Sequence, residues 1–140
     1  MKKIYAILPV SLCVLLLAGC SAGSGLASEV ETAAEQADAT LALSTVATDD
    51  VTEFLVVCPY ESKESVTDRL GFDWNDAPDY ALVDDRQTIA FITDGRVSAR
   101  AELSRGKVDF CRTGQWTVLP VDASLGVTRS GEVTSVAAPR

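Results

Sequence analysis

The segment from Phe72 to Tyr80, Phe-Asp-Trp-Asn-Asp-Ala-Pro-Asp-Tyr, carries the densest set of side chains that could grip or transform a ligand. Asp73, Asp76 and Asp79, with the Asn75 amide, offer oxygens to a hard cation such as Ca²⁺. Their spacing begins like an EF-hand loop but lacks its central glycine and its twelfth-position glutamate. The same carboxylates could serve as acid and base on a glycoside, which requires an apolar surround that raises one of them. Phe72, Trp74 and Tyr80 interleave with the acids, and Tyr60 stands further off. Ring faces beside hydrogen-bonding groups suit a sugar, a peptide or a protein partner. The plainer readings are an acidic surface turn and rings that pin a loop to a small core. Phe72, Asp73, Trp74, Asp76, Asp79 and Tyr80 form the candidate binding loop.

Residue types that are missing exclude much else. The chain has no histidine, so a Ser-His-Asp triad, a Cys-His pair and an imidazole zinc site are ruled out. Ser104-Arg105-Gly106-Lys107 matches the Ser-x-x-Lys nucleophile pattern, but that motif must open a helix. Here it falls on an expected hairpin turn. No catalytic residue, resident metal or cofactor is expected. Twelve Lys and Arg stand against 20 Asp and Glu, for a net charge of −8. Nucleic-acid binding needs a basic footprint, so that class is excluded.

The elements around the loop are legible in part. Asp94-Gly95 is a type I′ hairpin signal between Thr88–Thr93 and Arg96–Leu103, pairing Ile92 with Val97 and Ala90 with Ala99. Val97, Ala99, Ala101 and Leu103 alternate with Arg96, Ser98, Arg100 and Glu102, the period of a half-buried strand. Arg105-Gly106 and Thr113-Gly114 provide two further turns. The expectation is an α+β domain built on a four-stranded antiparallel meander over Gln87–Leu119. Val97, Leu103, Val108, Phe110 and Leu119 would share one face. Ile89, Phe91, Cys111, Trp116 and Val118 would share the other, too apolar to face water, with Arg96, Ser98 and Arg100 at its rim. Phe54–Cys58 reads as a buried strand stopped by Pro59, although Asp50 and Glu53 could open a helix instead. Ser62–Leu70 reads as a helix ended by Gly71. Ser28-Glu29-Val30-Glu31 resembles a capping box for a weak helix over 29–42, with disorder as the competing reading.

At the start of the chain, Lys2-Lys3, a short apolar run and small residues before a cysteine are the parts of a secretory signal peptide. The run is shorter than the ~20 residues that span a bilayer core. Leu17-Ala18-Gly19-Cys20 resembles the lipobox of bacterial lipoproteins. That resemblance implies a diacylglyceryl group on Cys20, cleavage before it, and a lipid-anchored, extracytoplasmic location. Ser21 would favour the outer membrane in a Gram-negative host; a Gram-positive host offers only the plasma membrane. Cys13 would leave with the signal peptide, so Cys58 and Cys111 remain, and in an oxidising envelope they are expected to form a disulfide. Cys111 then draws residues 54–70 over the apolar face of the meander.

Removing residues 1–19 leaves 121 of the 140 residues, the size of one domain. The layout expected is a signal peptide at 1–19 and an acidic tether with a possible helix at 20–50. A globular α+β unit follows at 51–122, then an edge strand or flexible tail at 123–140. Ser62, Val66 and Leu70-Gly71, followed by Phe-x-x-Asp-Gly-Arg-Val from Phe91 to Val97, are similar to the SmpA/OmlA lipoprotein domain. That resemblance implies protein contacts in outer-membrane β-barrel assembly. The paired cysteines, acidic loop and long acidic stem depart from it, and no residue role transfers. The sequence therefore points to a membrane-anchored envelope lipoprotein whose domain binds an envelope protein or glycan. The alternatives are a carbohydrate-active hydrolase using the 72–80 carboxylates and a Ca²⁺-stabilised spacer.

Overall fold

The computed structural model describes residues 22–140. The signal-peptide segment, Cys13, the lipobox and Cys20 lie outside the described residues. In chain order the elements are α1 (Ala22–Gln36), β1 (Thr40–Leu41), a 3₁₀ turn (Leu43–Thr45), β2 (Glu53–Val57) and α2 (Lys63–Leu70). They continue with β3 (Arg86–Thr93), β4 (Arg96–Ser104), β5 (Val108–Asp109), β6 (Leu119–Pro120), β7 (Leu125–Ser130) and β8 (Val133–Ala137). Two four-stranded sheets result, with strand orders β4-β3-β2-β6 and β1-β7-β8-β5. The first is antiparallel throughout; the second has one parallel pair, β5 with β8. The α+β class and the four-stranded antiparallel sheet are as expected, but the strands that build that sheet are partly different ones.

The β3–β4 hairpin forms where Asp94-Gly95 places it. Both residues take positive φ, 48° and 70°, as a type I′ turn requires. Ile92 pairs with Val97, but the register then shifts between Phe91 and Ile92, so that Phe91 meets Ala99 and Ala90 meets Arg100. The expected Ala90–Ala99 pair is therefore replaced. Ser98 is the extra residue of a β-bulge, and its Oγ sits 2.9 Å from Thr93 Oγ1 and 3.4 Å from the Phe91 carbonyl. One inserted residue exchanges the two faces of everything beyond it. Ala99, Ala101 and Leu103 join Ile89 and Phe91, while Arg100 and Glu102 turn to the side of Leu55 and Val57.

The meander does not continue past β4. β2, whose Phe54, Leu55, Val56 and Val57 are all fully buried, pairs with β3 and takes a central place in the sheet. A run that is apolar on both faces is best satisfied there, with neighbours on both edges. β6 then pairs with the outer side of β2. The 108–110 segment pairs with β8 of the other sheet instead of extending this one, and buried Gln87 of β3 holds it. Its Nε2 donates to the Val108 carbonyl at 2.6 Å, and its Oε1 accepts from the Phe110 N–H at 2.9 Å. A side-chain amide thus satisfies the backbone groups that a neighbouring strand would have met. Trp116 packs between Phe54 and Phe110, with centroids 6.1 and 6.0 Å away, and its Nε1 donates to the Phe110 carbonyl.

The covering layer also differs from expectation. Residues 54–57 lie within the sheet, and α1 instead packs on β4, touching β5 and β8. Val30 and Ala34, one turn apart, are fully buried. Ser28 lies inside α1 and is exposed, so it does not cap a helix start. At the other end, Arg129 donates to the carbonyls of Glu35 and Ala37, satisfying orphan acceptors of the last turn. Residues 22–41 are thus packed structure, and the stretch 123–140 forms the β7–β8 hairpin with Leu125, Val127 and Val136 buried. β1 pairs with β7, joining the two stretches.

α2 follows its sequence signals. Ser62 caps it by accepting from the Ser65 N–H, and Gly71 ends it in the left-handed conformation at φ 76°. Val66 and Leu70 are its buried residues. Cys58 and Cys111 form the expected disulfide, with Cα atoms 5.5 Å apart. It ties the end of β2 to the segment under Gln87 and Trp116.

Candidate functional site

The 72–80 loop divides into anchors and exposed groups. Tyr80 is buried, and its hydroxyl lies 2.8 Å from Thr88 Oγ1 on β3. Burial pushes its phenol up from the usual tyrosine value, against the Thr88 hydrogen bond that lowers it. Phe72 and Trp74 are half-buried against the core. Asp73, Asp76 and Asp79 are exposed. Asp79 Oδ1 accepts from the Ala81 N–H at 3.1 Å, a local Asx-type turn. Two cations from neighbouring elements clamp the backbone. Lys63 Nζ donates to the Asn75 carbonyl, and Arg100 Nη1 donates to the Asp76 carbonyl at 3.0 Å.

This clamping brings Trp74 and Asp76 against the bulged stretch of β4. Val97, Ser98, Ala99 and Arg100 complete the rim of a groove of about 230 Å³. Phe72, Asp73, Asp79 and Tyr80 do not line it; two of them act as anchors and two face solvent. Among the described residues no three Cys, Asp or Glu side chains gather closely enough to hold a metal ion. The loop thus spreads the oxygens a Ca²⁺ site would have to collect. Its exposed carboxylates also lack the apolar enclosure that makes a general acid of one of a pair.

A second concavity, about 410 Å³, lies beside the disulfide and is lined by Cys58, Tyr60, Glu61, Arg105, Cys111 and Gln115, among others. Glu61 is only 4 % exposed and fully engaged. It accepts from the Cys58 N–H and from Arg69 Nη2, both at 2.6 Å, and from Gln115 Nε2 at 3.3 Å. Arg69 also donates to the Trp116 carbonyl and, at 3.5 Å, to the Val56 carbonyl, on the stretch of β2 that β6 does not pair with. Nothing in sequence marks this pair, since Glu61 follows a Cys-Pro stop as any surface acid might. At the mouth, Arg105 is held in its charged form by Asp109, with which it makes contacts of 3.1 and 2.9 Å.

Among the described residues, Tyr60 and Leu82 are the exposed large hydrophobics, at 69 % and 97 %. Their segments are joined directly: Tyr60 N–H donates to the Tyr80 carbonyl and Tyr80 N–H to the Glu61 carbonyl, each at 2.8 Å. Tyr60 is also held at φ 66°, a left-handed conformation that costs a non-glycine residue about 1–3 kcal/mol. Sequence reasoning noted the Tyr60 ring but had no signal for Leu82, because an exposed leucine in a loop reads like a buried one. An open groove of about 620 Å³ runs between α1 and the β1 segment, lined by Thr32, Ala33, Gln36, Leu41 and Val46 among others.

No family model, no curated protein and no solved structure matches this chain.

Proposed function

We propose that this chain is an exported lipoprotein of a bacterial envelope, anchored through Cys20, whose folded domain is a non-catalytic module that binds an envelope component. The observation carrying the reading is the Cys58–Cys111 disulfide, formed by the two cysteines that remain once Cys13 and Cys20 are set aside. Such bonds persist in oxidising compartments and are rare in cytosol. The sequence of residues 2–20 supplies the export route that compartment demands. Binding, rather than catalysis, is supported by a loop whose anchors are satisfied while Asp76, Tyr60 and Leu82 remain turned to solvent.

The anchor is tested by growing cells that express the full chain with an alkyne-tagged palmitate and fractionating them. The wild-type protein is expected to be labelled and to sediment with membranes, and Cys20→Ser to lose the label. An unlabelled wild-type chain found in cytosol with its first methionine would overturn the reading.

A further inference from the structure

We infer that the Trp74–Arg100 groove is a saccharide subsite that holds one N-acetylhexosamine unit of an extended glycan. This rests on the binding-module reading above and names its partner class. The groove joins three chemistries in one place. Trp74 provides an aromatic wall held by the core on one side, the surface against which the C–H face of a pyranose packs. The carboxylate of Asp76 is exposed, because Arg100 is bound to the backbone carbonyl of Asp76 rather than to its side chain. It can accept from a sugar hydroxyl or amide N–H, while the remaining N–H groups of Arg100 can donate to a ligand oxygen. Between them, Val97, on the same face of the sheet as Arg100, presents its methyl groups.

An acetamido substituent matches that pattern: its methyl against Val97, its N–H to Asp76, its carbonyl to Arg100. A plain hexose would leave the methyl-lined part unfilled. The volume of about 230 Å³ is below the ~300–1,000 Å³ of drug-sized pockets and suits a single ring. The surroundings suit a polymer. β4 is the edge strand of its sheet, so the groove runs along an open margin where a chain can enter and leave. The Ser98 bulge, which turns Arg100 toward the loop, is the kind of irregularity that re-aims a side chain next to a site. The net charge of −8 argues against a polyanionic glycan and for a neutral one.

The two tryptophans make the test direct. Trp116 is 2 % exposed and boxed in by Phe54 and Phe110, so a change in emission reports on Trp74. The full-length protein in detergent is titrated with the β-1,4-linked tetramer of N-acetylglucosamine and, separately, with the matching glucose tetramer. Saturable quenching or enhancement is expected with the first and binding about tenfold weaker with the second. Asp76→Ala, with an unchanged melting temperature, is expected to weaken the first by about tenfold, which is ~1.4 kcal/mol. No saturable change, equal binding of both tetramers, or full binding by Asp76→Ala overturns the inference. Failure here alongside intact palmitate labelling rejects the glycan and leaves the anchored module standing.

Discussion

Tyr80 shows how one residue can look functional and prove structural. In sequence it belongs to an acidic, aromatic stretch; in the fold its ring is buried and its hydroxyl meets Thr88. Because burial raises its pKa in the folded state, the stability it contributes is fully present below the ordinary value near pH 10. That contribution is lost as pH climbs through the raised folded value. Tyr80→Phe is expected to cost about 1 kcal/mol near neutral pH. It should also make urea unfolding midpoints less sensitive to a move from about pH 8 to about pH 11. Equal alkaline losses in both proteins would contradict this assignment. At the same scale, Gln87 reads as one polar residue in a strand, and no local pattern reveals that its amide captures Val108 and Phe110. Glu61 and Arg69 were invisible for the same reason: a buried ion pair joins residues whose separate signals are those of an ordinary surface.

Among elements, those written in local chemistry were readable. The Ser62 cap and Gly71 stop of α2, and the Asp94-Gly95 turn of the β3–β4 hairpin, occur where their side-chain types call for them. The bulge at Ser98 was not readable, since Val97–Leu103 alternates as well with an inserted residue as without one. It mattered most, because it turned Arg100 toward the candidate loop. α1 was half-readable: its alanine stripe indicated a helix but not its start or how firmly it docks. The docking can be measured. Gly25 lies in α1 with open space where a Cβ would stand, so Gly25→Ala is expected to stabilise by about 0.5–1 kcal/mol. Val30→Ala, at a fully buried position, should destabilise by about 1–2 kcal/mol. If denaturation midpoints move for neither, the helix is not part of the cooperative unit.

For the molecule as a whole, the class and the cross-link were legible, and the sheet membership was not. β5, β6 and β1 are two-residue strands, too short to leave a period, and their partners lie far along the chain. Only the cysteine pair signalled long-range order. The disulfide spans 53 residues of sequence, and closing such a loop stabilises by about 4 kcal/mol in the chain-entropy model. Against a typical total of about 5–15 kcal/mol, that is a large share. A Cys58→Ala/Cys111→Ala variant is therefore expected to melt well below the wild type, and the wild type under reductant should follow it. A variant matching the oxidised protein in urea would show that the bond adds nothing to the fold.

The position of α1 has a consequence for how the protein is made. The helix emerges from the ribosome early, yet the arginine that closes its last turn comes 94 residues after Glu35. At about 5–20 residues per second, that is roughly 5–20 seconds of waiting for a segment too short to be stably helical by itself in water. The last steps of folding must therefore follow synthesis: a polypeptide cut short before β7 would keep β4 for the helix to lie on, but would leave the helix end unclosed and β1 without its partner strand.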